Sequence, residues 1–73
     1  MSPAHKALSD AAMATDAAWG AELRRLFGKR AGDERYLAQG RGEPGTELRR
    51  LYDAAKNAGA AWEPVSRSLA EIP

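Results

Sequence analysis

The hexapeptide Glu22-Leu23-Arg24-Arg25-Leu26-Phe27 returns 25 positions later as Glu47-Leu48-Arg49-Arg50-Leu51-Tyr52, with one aromatic exchanged for another. Each copy sets two leucines three residues apart and an aromatic directly after the second. On a helix those three side chains share one face while the arginine pair points elsewhere. The chain is therefore built around two amphipathic helical segments with basic backs. A solenoid is excluded, because that architecture needs at least about three repeats. Duplication of a helical unit and convergence on a common helical string both account for the repeat. The dissimilar flanks favour convergence.

Covering those two apolar faces is difficult for 73 residues. Chains this short bury only about 60% of their unfolded surface. Much of the 44% hydrophobic fraction is alanine, which favours helix strongly but fills little volume. Two solutions stay open: a sparse monomeric core, or a core completed on a second copy as a homodimer.

Local signals divide the chain. Ser2-Pro3 opens a helix, with Ser as cap and Pro at the first helical position. Leu8, Ala12, Thr15, Trp19, Leu23 and Leu26 form its stripe. Gly28 is a first stop and Gly32 a second, so helix 1 is expected over about residues 3–30. A connector, residues 31–45, follows. In it Asp33 is expected to cap a short turn, Glu34 to Gln39, that brings Tyr36 and Leu37 onto the core. Helix 2 is expected over about 46–62, starting at Pro44 or Thr46, with the stripe Leu48, Leu51, Tyr52, Ala55, Gly59 and Trp62. Pro64 disfavours helical geometry at Glu63. A short third helix, 64–71, is expected beyond it, packing Val65 and Leu69, with Ile72 joining them. The expected fold class is all-α: one small helical domain, two main antiparallel helices joined by a glycine-rich connector, plus a short C-terminal helix. Trp19, Leu23, Leu26 and Phe27 should pack against Leu48, Leu51, Tyr52 and Trp62.

Recognisable catalytic chemistry is scarce. The chain has no cysteine and one histidine, His5, so thiolate metal sites and disulfides are ruled out. The acids form no dyad at a known spacing, and no serine sits in a nucleophile elbow. Gly40-Arg41-Gly42-Glu43-Pro44-Gly45 precedes a helix but lacks the Gly-Lys-Ser/Thr ending and the strand of a phosphate-binding loop. No enzyme activity, metal or cofactor is expected. No stretch approaches the roughly 20 apolar residues of a membrane span. A cytoplasmic protein without membrane partners is the expectation.

Charge gives the one functional lead. The net charge is +1. Residues 24–50 carry eight basic and four acidic side chains, while both ends are mildly acidic. Arginine outnumbers lysine, which suits planar recognition of carboxylate or phosphate. The plain alternative is the codon bias of a GC-rich genome. A partner site is expected on the connector and adjoining helix ends, at Arg30, Arg35, Tyr36, Arg41 and Arg49. Acidic groups of a protein partner suit these residues, because Arg and Tyr are prominent in interfaces. Nucleic acid is the alternative partner, although no helix-turn-helix pattern is present and +1 is low for such a role. Arg35 and Arg41 should both be exposed, so reversing their charge should leave the fold intact.

Leu26-Phe27-Gly28-Lys29-Arg30-Ala31-Gly32-Asp33-Glu34-Arg35-Tyr36, followed by Gly40-Arg41-Gly42-Glu43-Pro44-Gly45-Thr46-Glu47-Leu48, resembles a pattern found in short uncharacterised proteins of proteobacteria and their phages. The resemblance covers about the middle third of the chain and carries no known chemistry. It implies a small accessory protein of a mobile element, of the kind that clamps onto a larger host machine. Inhibitors of CRISPR or restriction systems are among such proteins. It assigns no role to any single residue.

Overall fold

The computed structural model describes residues 2–71. Two long helices dominate: α1, Pro3–Phe27, and α5, here reached after three short helical turns, Glu47–Ala70. The turns are α2, Gly28–Arg30 (3-10), α3, Ala31–Glu34, and α4, Ala38–Arg41 (3-10). Among the described residues there is no strand, and the fold is all-α.

Both long helices begin where the sequence says they should. The Ser2 hydroxyl oxygen accepts from the His5 backbone N–H at 3.2 Å, with Pro3 in the first turn. The Thr46 hydroxyl oxygen accepts in the same way from Arg49 N–H at 3.2 Å. Each cap satisfies a donor that the helix cannot. Helix α1 ends at the first of its two glycine stops. Gly28 adopts φ +58°, and its N–H donates to the Arg24 carbonyl. A side chain there would be strained.

The two helices lie against each other. Trp19 meets Tyr52 edge to face with ring centroids 5.3 Å apart. Leu23 and Leu48 share the core, and His5 shares a cleft with Pro64, Val65, Ser68 and Leu69. Early residues of α1 thus sit beside late residues of α5. The molecule measures 41 × 22 × 16 Å. A helix with its side chains is about 10–12 Å across, so the shorter dimensions hold two helices side by side and little more. The core is correspondingly thin: Trp19, Leu23, Ala31 and Leu48, flanked by Phe27, Leu51, Tyr52 and Ala55. Among the described residues Leu23, 1% exposed, is the one large side chain fully enclosed.

Four expectations need correction. Helix 2 does not end at residue 62, and no separate helix covers 64–71; α5 runs through Pro64 to Ala70. Packing overrides the local penalty there. Trp62, Val65 and Leu69 are all half-buried, and Glu63 and Arg67 form an ion pair across the proline turn at 2.5 Å. Leu26 is 47% exposed instead of buried: α1 stops one residue later, and Leu26 lines an open cleft with the connector and the first turn of α5. Trp62 is outside the central cluster. Tyr36 and Leu37 do not descend onto the core: the helical turn forms earlier, at Ala31–Glu34, and its inward positions are Ala31 and Glu34. The expected contact of Ile72 lies outside the described residues.

The continuous helix has a measurable consequence. Pro64 offers no N–H to the Ala60 carbonyl and crowds the preceding turn. Proline in a helix interior costs roughly 3 kcal/mol relative to alanine, offset by about 1 kcal/mol through its stiffening of the unfolded chain. Pro64→Ala is therefore expected to raise the unfolding free energy by roughly 1–2 kcal/mol in urea denaturation. An unchanged or lower midpoint would show that the helix breaks at Glu63.

Candidate functional site

The connector is fastened to α1 around one side chain. Trp19, buried on α1, donates its indole N–H to the Gly40 carbonyl at 2.8 Å. Its ring carries the Arg35 guanidinium at 4.5 Å from the centroid, and Arg35 in turn pairs with Asp16, one helical turn before Trp19. Both ends of the stretch 35–40 are thereby fastened to the same turn of α1.

Close backbone approach completes the attachment. A Cβ at Gly40 would lie 2.0 Å from the Glu34 carbonyl oxygen and 2.8 Å from its carbon. One at Gly42, where φ is +78°, would lie 2.6 Å from the Arg49 nitrogen. The Gly-Arg-Gly run therefore serves contact between connector and helices, and it is not merely a slack linker.

The five residues expected to form the partner site divide accordingly. Arg35 is largely covered, sandwiched between Trp19 and Asp16. That corrects the expectation of an exposed position whose charge could be reversed harmlessly. Arg49 lies 5.8 Å from the Tyr52 ring centroid, donates to the Gly42 carbonyl at 3.3 Å and pairs with Asp53 at 3.2 Å. Arg30 bonds Glu34 at 2.9 Å but stays mostly solvated. Arg41 is exposed and has no carboxylate partner among the described residues. Tyr36 is 79% exposed, and Leu37 beside it 48%. The structure thus gathers Arg35 and Arg49 into the scaffold and leaves Arg30, Tyr36 and Arg41 outside.

Among the described residues Glu34 is the one buried charged side chain, 5% exposed. Arg30 reaches its Oε1, while its Oε2 has no hydrogen-bond partner.

The two repeat copies adopt the same ionic geometry. Glu22 binds Arg25 through two hydrogen bonds, at 2.5 and 2.9 Å, and Glu47 binds Arg50 through two, at 2.8 and 2.5 Å. These bonds hold both carboxyls below the usual range, and Glu47 close by pushes Glu22 the opposite way more weakly. Leu23 and Leu48 occupy equivalent buried positions. Around the junction of the copies a shallow cleft is lined by Leu26, Gln39, Gly42, Glu43, Thr46 and Leu48, among others.

A second concavity, of about 330 Å³, lies where α1 turns into α2 and α3. Gly20, Leu23, Arg24, Gly28, Lys29, Ala31, Gly32 and Arg35 line it. Three are cationic and none is acidic. The sequence marks the Arg24-Arg25 pair as able to meet phosphates, but the five residues expected to form the site include neither Arg24 nor Lys29. The spacing that could have found them is Gly20-x-x-x-Arg24: a residue without a side chain one turn before an arginine leaves a recess on the helix surface. Among the described residues no group of three metal-ligating side chains occurs. No family model matches the chain, and no curated protein or solved structure matches it either.

The close contact at Gly40 generates a paired prediction. Gly40→Ala should destabilise the protein by about 1–3 kcal/mol, because backbone atoms cannot yield as a side chain can. Gly32→Ala, with nothing within 4 Å of the added methyl, should leave stability unchanged or raise it by roughly 0.5–1 kcal/mol. Thermal denaturation followed by tryptophan fluorescence compares the two. Equal effects would contradict the close approach of α4 to α3.

Proposed function

We propose that the chain is a small non-catalytic accessory factor that binds a protein partner through the outer face of its connector. Its scaffold in this reading is an antiparallel hairpin of α1 and α5, a reading supported by the pairing of Trp19 with Tyr52 and of His5 with the Val65–Leu69 turn. The observation that carries the proposal is the placement of Tyr36 and Leu37. They are the exposed large apolar residues of a segment that Trp19 and Arg35 fasten to α1. An aromatic and a leucine held outward on a pinned loop form a contact surface whose ordering cost is met before binding. Arg30 and Arg41 beside them supply a basic rim for acidic groups of the partner. A larger host complex in the cytoplasm, such as a CRISPR or restriction system, is the partner that the resemblance implies.

Binding to nucleic acid is the weaker reading. Seven of the eleven basic side chains already pair with carboxylates of the chain itself. Each such pair reduces the phosphates that the surface can neutralise, and affinity for nucleic acid depends on that number.

The test combines affinity capture from the encoding organism with a double variant. Tyr36→Ala/Leu37→Ala should keep the wild-type melting temperature, since neither side chain belongs to the core. It should lose the captured partner by at least about tenfold, as expected for truncating interface anchors. Retention at full strength would place the contact elsewhere. A gel shift with DNA or RNA at low salt that weakens steeply as salt rises would put the nucleic-acid reading in its place.

A further inference from the structure

Ion pairing sorts the basic side chains. Arg24, Lys29, Arg41 and Lys56 have no carboxylate partner among the described residues, whereas the remaining seven do. Two of these four, Arg24 and Lys29, line the same recess at the end of α1. The third cation there, Arg35, uses its Nη2 on Asp16 and turns its Nη1 toward Gly20. Arg24 Nη1 approaches the same glycine. The two nitrogens lie 3.7 and 3.5 Å from the position a Gly20 Cβ would take. Two guanidinium groups thus converge on one bare patch of helix, a repulsive arrangement unless an anion lies between them.

We propose that this recess binds the phosphoryl group of a phosphate monoester. Charge selects the ligand. Arg24, Lys29 and Arg35 bring three positive charges, of which Asp16 offsets one, leaving two for a dianion. A lone carboxylate would match only half of that. Geometry agrees with a small head group. Arg35 is fixed by Trp19 and Asp16 and serves as the immobile donor, while Arg24 and Lys29, exposed on their outer sides, close over the ligand. Gly20, Gly28 and Gly32 leave the wall without side chains, and a Cβ at Gly28 or Gly32 would meet nothing within 4 Å. The recess opens to solvent, so the ester substituent projects outward and contributes little. This site is separate from the Tyr36–Leu37 surface and does not depend on it.

The experiment is an NMR titration of the intact chain at constant ionic strength, with inorganic phosphate and O-phosphoserine as separate probes and chloride as control. Both backbone amides and the arginine Nε–H groups are followed. The expected result is saturable shifts confined to Gly20, Arg24 and residues 28–35 with either phosphate probe. Arg24→Gln and Lys29→Gln should each weaken binding by about tenfold, the change expected for losing one charged contact. Lys56→Gln, which removes an unpaired cation on α5, should change it by less than about twofold. Far-ultraviolet circular dichroism of each variant confirms that the helices remain. Saturation by O-phosphoserine alone would show that the ester substituent drives binding and would overturn the assignment of the recess to the phosphoryl group. Linear shifts without saturation, or an equal loss in Lys56→Gln, would overturn it.

Discussion

The indole of Trp19 does three things at once, and the connector depends on all of them. Its N–H holds the Gly40 carbonyl, its face carries Arg35, and its edge packs on Tyr52 of the facing helix. A buried hydrogen bond contributes about 0.5–1.5 kcal/mol net, and a cation over an aromatic face about 0.5–2 kcal/mol. In a domain whose total stability is marginal, these are large shares concentrated on one side chain. The slab is only two helices wide, and besides Trp19 the connector is tied down by Arg35 on Asp16 and by Arg49 on the Gly42 carbonyl. Gly40 is coupled to the same point, because only a residue without a Cβ brings its carbonyl under the indole while touching Glu34.

Local chemistry was legible in the sequence, and tertiary competition was not. Ser2, Thr46 and Gly28 mark helix ends through interactions within a few residues; the α-helix of α1 stops at Phe27, short of the end expected near residue 30, where a 3-10 turn takes over. The stripe Leu48, Leu51, Tyr52, Ala55 follows from periodicity alone. Pro64 shows the limit of such reasoning. Its intrinsic preference for a break is real, yet continuing the helix keeps Val65 and Leu69 beside α1. Tyr36 and Leu37 fail for a related reason. An aromatic next to a leucine resembles core, but the inward positions of that turn were taken by Ala31 and Glu34, set by the anchor at Gly40.

The candidate site illustrates why counting arginines misleads. The excess of basic residues between 24 and 50 is a correct reading of the sequence, but half of its meaning lies in the pairing. Glu22 with Arg25 and Glu47 with Arg50 are i,i+3 pairs that can be read from spacing. Asp16 with Arg35 spans 19 residues and appears only once α3 folds back onto α1. After pairing, the surface is less a basic connector than a pinned loop with an aromatic outer edge and, on another side, one acid-free recess between Arg24 and Arg35. The two features differ in chemistry: the first is an apolar edge with exposed arginines near it, the second a convergence of positive charge.

The closure of the connector rests on Trp19, and the proton it donates reports on that directly. Hydrogen exchange of the two indole N–H groups, read by NMR in the unmodified protein, uses half-buried Trp62 as an internal reference. The Trp19 proton should exchange at least about tenfold more slowly than that of Trp62, because releasing it requires the connector to open. Equal and fast exchange of both would mean that Gly40 is not held and that the connector is not fastened to α1.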